Sequence, residues 1–125
     1  MKFTIYGRLP SLNDYVLANR SNRYAGASMK KRNEQMIDKA ILKAIDGGFL
    51  HRVNKYPITL KIAWYEPNKR RDVDNITFSV KFIQDALVKA DVIEDDSQNF
   101  INVVQHEVYI DRENPRIEVE ILERN

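Results

Sequence analysis

Residues 58–65 alternate without a break. Ile58, Leu60, Ile62 and Trp64 fall on one side of an extended chain, and Thr59, Lys61, Ala63 and Tyr65 on the other. Period two marks a strand with one apolar face. That face needs a covering layer, because a sheet is stable only when its apolar side is packed. Met36, Ile37, Ala40, Ile41, Ala44 and Ile45 recur at helical spacing and supply one, with Lys31, Gln35, Asp38 and Lys39 turned largely away. Ser28 is the expected N-cap, the helix runs to about Asp46, and Gly47-Gly48 ends it.

The remaining elements fit around this pair. Residues 2–8 read as a strand, with Phe3, Ile5 and Gly7 opposite Thr4 and Tyr6, broken by Pro10-Ser11-Leu12-Asn13-Asp14. Residues 14–28 are polar, basic and aromatic, contain Gly26, and read as a partly ordered loop. Glu66 to Arg71 form a loop, and a second helix runs from Asp74 to about Ala90 with Ile76, Val80, Ile83 and Leu87 as its apolar face. An acidic connection at 91–99 leads to strands at 100–110 and 116–122, joined by the turn Asp111 to Pro115. The order β-α-β-α-β-β predicts an α/β (α+β) fold, a small mixed sheet packed by two helices. A length of 125 residues fits one domain over 1–125.

The chain has no cysteine, which excludes a disulfide framework and a Cys-based zinc site and suits a reducing cytoplasm. No stretch approaches the roughly 20 apolar residues of a membrane span, so no membrane association is expected. No Gly-rich phosphate loop is present, and no small-molecule cofactor is expected. His51 and His106 are isolated from each other, and no serine has a discernible His-Asp partnership.

The net charge is only +2, but its distribution is uneven. Arg20, Arg23, Lys30, Lys31 and Arg32 follow one another with no acid between them, and Lys69-Arg70-Arg71 forms a second basic cluster. Segregated basic patches suit a phosphate backbone, although each alone also reads as a solvated surface.

Asp72-Val73-Asp74-Asn75 follows directly on that second cluster. In an extended segment, residues two apart project to one side, so Asp72 and Asp74 place two carboxylates together. A hard divalent cation such as Mg²⁺ relieves their repulsion. Capping of the following helix accounts comfortably for one aspartate but hardly for two. Basic residues beside such a pair are what a phosphodiester needs, since they neutralise its oxygens while a metal activates water. Lys81 stands seven residues past Asp74, about two turns of an unbroken helix, which would bring it to the same side. A third carboxylate can come from Asp91, Glu94, Asp95 or Asp96, and spacing selects none of them.

These motifs resemble the RusA-type Holliday junction resolvases, small endonucleases of prophages and bacteriophages. The resemblance runs through Leu9-Pro10-Ser11-Leu12-Asn13-Asp14-Tyr15, then Arg70-Arg71-Asp72-Val73-Asp74-Asn75. It continues in Phe82-Ile83-Gln84-Asp85-Ala86-Leu87, Lys89-Ala90 and Val92-Ile93-Glu94-Asp95-Asp96. It implies a homodimer that binds four-way DNA junctions and nicks two opposed strands symmetrically with Mg²⁺ or Mn²⁺. It implies Asp72, Asp74 and Asp96 as the essential carboxylates, Asp95 standing beside the last, and Arg71 as the basic residue of the motif. Its catalytic lysine falls on Lys81 when counted back from Asp85, and on Phe78 when counted forward from Asn75. Lys81 is preferred, on the ground that positions four and seven past Asp74 share a helical face. Lys69, Arg70, Arg71, Arg20, Arg23, Lys30, Lys31 and Arg32 are the expected DNA contacts. A flap or branched-DNA nuclease on the same scaffold, or a junction-binding protein without catalysis, remains open as an alternative.

Overall fold

In the computed structural model, which describes residues 1–124, the chain runs β1 (Lys2–Tyr6), α1 (Leu12–Ser21), α2 (Arg23–Asp46), β2 (Ile58–Glu66), α3 (Val73–Thr77), α4 (Val80–Lys89), β3 (Ile101–Ile110) and β4 (Arg116–Leu122). The fold is the expected mixed α/β arrangement, an open four-stranded sheet in the order β1-β4-β2-β3. β2 and β3 are parallel, joined through α3 and α4, as a parallel pair requires a crossover. β4 lies antiparallel between β1 and β2. Thus β3 and β4, adjacent in sequence, do not pair with each other. Their connection passes over the end of β2, where the Asp111 amide donates to the Glu66 carbonyl at 2.8 Å.

Period two holds along all of β2. Ile58, Leu60, Ile62 and Trp64 are buried, and Glu66 continues their face at 4% exposure. Ile37, Ile41 and Ala44 of α2, with Ile83, Ala86 and Leu87 of α4, form the apolar layer. The opposite face of the sheet is polar, with the Arg116 guanidinium 3.8 Å from the centroid of the Tyr65 ring. Among the described residues, no helix is long and apolar enough to cross a membrane.

Three boundaries differ from the sequence reading by more than one residue, and Glu66, read as loop, closes β2 instead. Residues 14–28 are not a loop: α1 covers most of them, and α2 begins at Arg23, so Ser28 lies inside a helix instead of capping it. Asn22 is the true cap, and it serves both helices. It is extended (φ −173°, ψ 161°), its amide donates to the Ala18 carbonyl, and its side chain accepts from the Ala25 amide at 2.7 Å. Gly26 lies where the two helices meet; a Cβ there would stand 1.8 Å from Asn19 Oδ1, so glycine permits the close approach. Second, the strand expected at 2–8 ends at Tyr6, and Gly7 turns the chain at φ 95°. Third, the helix expected from Asp74 to Ala90 is interrupted at Phe78-Ser79. Ser79 is fully buried there and its hydroxyl donates to the Pro10 carbonyl at 2.8 Å.

Candidate active site

The site lies beyond the C-terminal end of β2, where apolar alternation gives way to charge. Asp72 occupies the N-cap position of α3 but makes no capping hydrogen bond with its side chain. Asp74 stands in the first turn of the same helix, so residues 72–74 are not the extended segment expected from sequence and period two does not align their carboxylates; both residues are exposed. Arg71, the cation next in sequence, is turned away from them onto Asp14 (2.8 Å) and the Leu9 carbonyl (3.1 Å). Among the described residues, neither Asp72 nor Asp74 has an ion pair. The helix cap does not account for Asp72, and both carboxylates are available to a ligand.

A clamp built from the N-terminal segment holds this loop. Glu66 accepts from Arg8 Nη2 at 2.6 Å and lies 3.9 Å from Arg71 Nη1. Ser11 and Asp14 form a reciprocal capping box at the start of α1. Burial acts to raise the Asp14 carboxyl, but the hydrogen bonds from Ser11 and the charge of Arg71 outweigh it and hold the group below its usual range. The Asn13 amide donates to Asn75 Oδ1 at 3.2 Å, tying α1 to α3. Arg8, Asp14, Glu66 and Asn75 have no site role in the sequence reading, although Asp14 and Asn75 stand within its motifs. Two signals were readable: the Ser-x-x-Asp spacing of the capping box, and an acid at the inward-facing end of a strand.

Lys81 and Asp96 are brought together at 2.8 Å, and Lys81 also pairs with Asp85 at 3.0 Å. The hydrogen bond to Asp96, then that to Asp85, raises the lysine above its ordinary pKa, and the same contact with Lys81 lowers Asp96. Lys81 is therefore fully charged at neutral pH. Of the four acids at 91–96, Asp96 is the one that faces Lys81; Asp91 pairs with Arg52, and Glu94 and Asp95 are exposed. The break at Phe78-Ser79 removes the ground on which Lys81 was placed beside Asp74, since two turns of one helix do not separate them. Phe78, the other position considered, packs against Tyr15 and Phe82.

Mg²⁺ is typically held by one or two carboxylates, the rest of its shell being water and substrate phosphate. Asp72 and Asp74 fit that demand in kind, as oxygen donors without a protein cation. Among the described residues, no three acidic or histidine side chains converge into a closed metal cage. Lys69, Arg70, Arg20, Arg23, Lys30, Lys31 and Arg32 are all exposed, as a backbone-contacting set must be. His106 accepts from Trp64 Nε1 at 3.0 Å and His51 is exposed.

Residues 15–122 match the family model described as Endodeoxyribonuclease RusA. The chain belongs to the RusA endodeoxyribonuclease family. The match runs from Tyr15, within α1, to the end of β4 and includes Asp72, Asp74, Lys81 and Asp96, and it leaves the N-terminal half of the clamp, Arg8 to Asp14, outside. RusA membership implies an endodeoxyribonuclease activity. Among curated proteins, none matches the sequence significantly.

Proposed function

We propose that the protein resolves four-way DNA junctions as a homodimer, by paired symmetric nicks that depend on Mg²⁺ or Mn²⁺, in DNA recombination and repair. The observation that carries this reading is Asp72 and Asp74, two exposed carboxylates without an ion pair among the described residues, in a chain of the RusA endodeoxyribonuclease family. They are the residues to hold the cation, with Asp96 as third only when DNA binding both draws Lys81 off it and closes the carboxylates together, since the three do not converge in this structure. When bound, the cation supplies Lewis acidity at the phosphate and a water of lowered pKa. Lys81, protonated at neutral pH as an exposed lysine, carries its charge to the phosphate oxygens. Arg71 serves by anchoring the backbone next to Asp72. Lys69 and Arg70 meet the flanking phosphates. Two-fold symmetry of the junction requires two such sites, hence the dimer.

The test is cutting of a synthetic four-way junction in Mg²⁺, beside a linear duplex and a flap of equal length. Junction cutting is expected to exceed both. Asp72→Asn and Asp74→Asn are each expected to lose at least about 100-fold in rate, since changes even to groups supporting a metal ligand typically cost 10- to 100-fold. Undiminished cutting by either variant removes this site. One observation favours a second reading, a protein that binds junctions without cutting them: Asp96 is tied to Lys81. That reading predicts binding without any Mg²⁺-dependent nick by the unmodified protein.

A further inference from the structure

An open depression of about 410 Å³ lies where α1, α2 and α4 meet. Its walls include Tyr15, Asn19, Arg23, Gly26, Lys30 and Phe82, and no acid lines it. The cleavage chemistry has no use for its aromatic rings. Tyr15 and Phe82 lie 5.4 Å apart between centroids, with their planes 30° from parallel. Phe78 braces both at 5.7 Å. All three residues are half-buried, and Phe82 also packs against the core. The cluster joins the helices and at the same time borders an open groove beside two cations. Gly26 lets α2 approach Asn19 there, so that an amide forms part of the wall. Glu34 is close enough to be felt at the Tyr15 hydroxyl, but it stands outside the lining.

We propose that this depression holds an unpaired nucleobase of the DNA substrate, stacked on Phe82 and Tyr15, with Arg23 and Lys30 on the adjoining phosphates. The assignment rests on the nuclease reading and names a second subsite for it. Rigid aromatic rings flanked by cations are the elements that hold single strands, and every base offers a π-face to them. Phe82 directly follows Lys81 in α4, and consecutive helical side chains diverge, so the subsite lies on a neighbouring face of the helix that carries the ammonium. A base leaves the stack most readily where pairing is already broken, so the subsite favours branch points over intact duplex.

Fluorescence anisotropy in EDTA, where no strand is cut, measures the binding. The probes are a four-way junction with two unpaired thymidines at the branch and a fully paired linear duplex. Phe82→Leu and Tyr15→Leu are expected to weaken binding to the junction about 5- to 150-fold and leave the duplex within about twofold. Phe82→Trp restores junction binding to near the original level. Arg23→Gln weakens both and lowers the slope of log affinity against log salt by about one. Equal losses on both DNAs, or no loss on either, overturn the subsite. Should Phe82→Leu not fold, as judged by circular dichroism, Tyr15→Leu and 2-aminopurine at the branch decide: a fluorescence change on binding supports stacking, and its absence overturns it. An unmodified protein that binds neither DNA takes down the nuclease reading together with the subsite. Junction cutting without selective losses in the leucine variants takes down the subsite alone.

Discussion

Asp91 has φ 61°, in the left-handed region, immediately after the C-cap of α4. A side chain with a Cβ costs about 1–2 kcal/mol there, and aspartate is tolerated because its short polar group can hydrogen-bond locally. Its exposed ion pair with Arg52 adds little. Asp91→Gly is therefore expected to be neutral or up to about 1 kcal/mol more stable, while Asp91→Ala loses about 1 kcal/mol. Urea denaturation orders the three proteins; an alanine variant as stable as the glycine one contradicts the argument. His106 is governed by protonation. Burial lowers its pKa below the ordinary 6.5, and Nδ1 must stay unprotonated to accept from Trp64, whose indole can only donate. The folded state thus binds the proton less readily than the unfolded one. Its contribution to stability is complete above about 6.5 and is lost as pH falls through the folded-state value. The urea midpoint should drop between pH 7.5 and pH 5 and drop less in His106→Phe; identical pH profiles would remove His106 as the cause.

The helices divide according to what fixes their ends. Asn22 terminates α1 and starts α2, so one side chain holds a corner between two helices. Asn22→Ala is expected to cost about 1–2 kcal/mol and lower the Tm by roughly 3–10 °C, measured by circular dichroism. A Tm within 1 °C of the unmodified protein would mean that the packing around Gly26 alone sets the corner. The same residues explain what could be read from sequence. The faces Ile58-Leu60-Ile62-Trp64 and Ile37-Ile41-Ala44 are buried because of their own periodicity, and both were legible. α1 buries no residue completely and so leaves no apolar stripe to detect. The break between α3 and α4 depends on Ser79 meeting Pro10, a contact across 69 positions that no local pattern encodes. At the site, Asp72 and Asp74 stood out because two adjacent like charges demand an explanation. Glu66 did not, because its partners Arg8 and Arg71 reach it from separate segments.

For the molecule as a whole, the decisive join is the one between its N-terminal segment and the loop that carries Asp72. The connection from β3 to β4 covers the end of β2, the Gly7 amide donates to the Pro115 carbonyl at 2.9 Å, and Arg8 reaches inward to Glu66. Glu66 is the hub, a carboxylate whose side chain is 6% exposed between two guanidinium groups. Removing one partner of a buried pair leaves an uncompensated charge at a cost of about 3–5 kcal/mol. Arg8 is 30% exposed, and water relieves part of that cost, so Glu66→Ala is expected to lose about 2–3 kcal/mol. Arg8→Ala should lose less, and the double variant should be more stable than the sum of the single losses, with a coupling of at least about 1 kcal/mol. Losing the clamp should also loosen the backbone at Asp72, because Arg71 keeps Asp14 and the Leu9 carbonyl but not Glu66. Junction cutting by Glu66→Ala should then fall beyond what the unfolded fraction explains, while Glu66→Gln, which can still accept a hydrogen bond, recovers part of the rate. Additive stability losses, with cutting that follows only the folded fraction, would reduce Glu66 to a local ion pair without influence on the site.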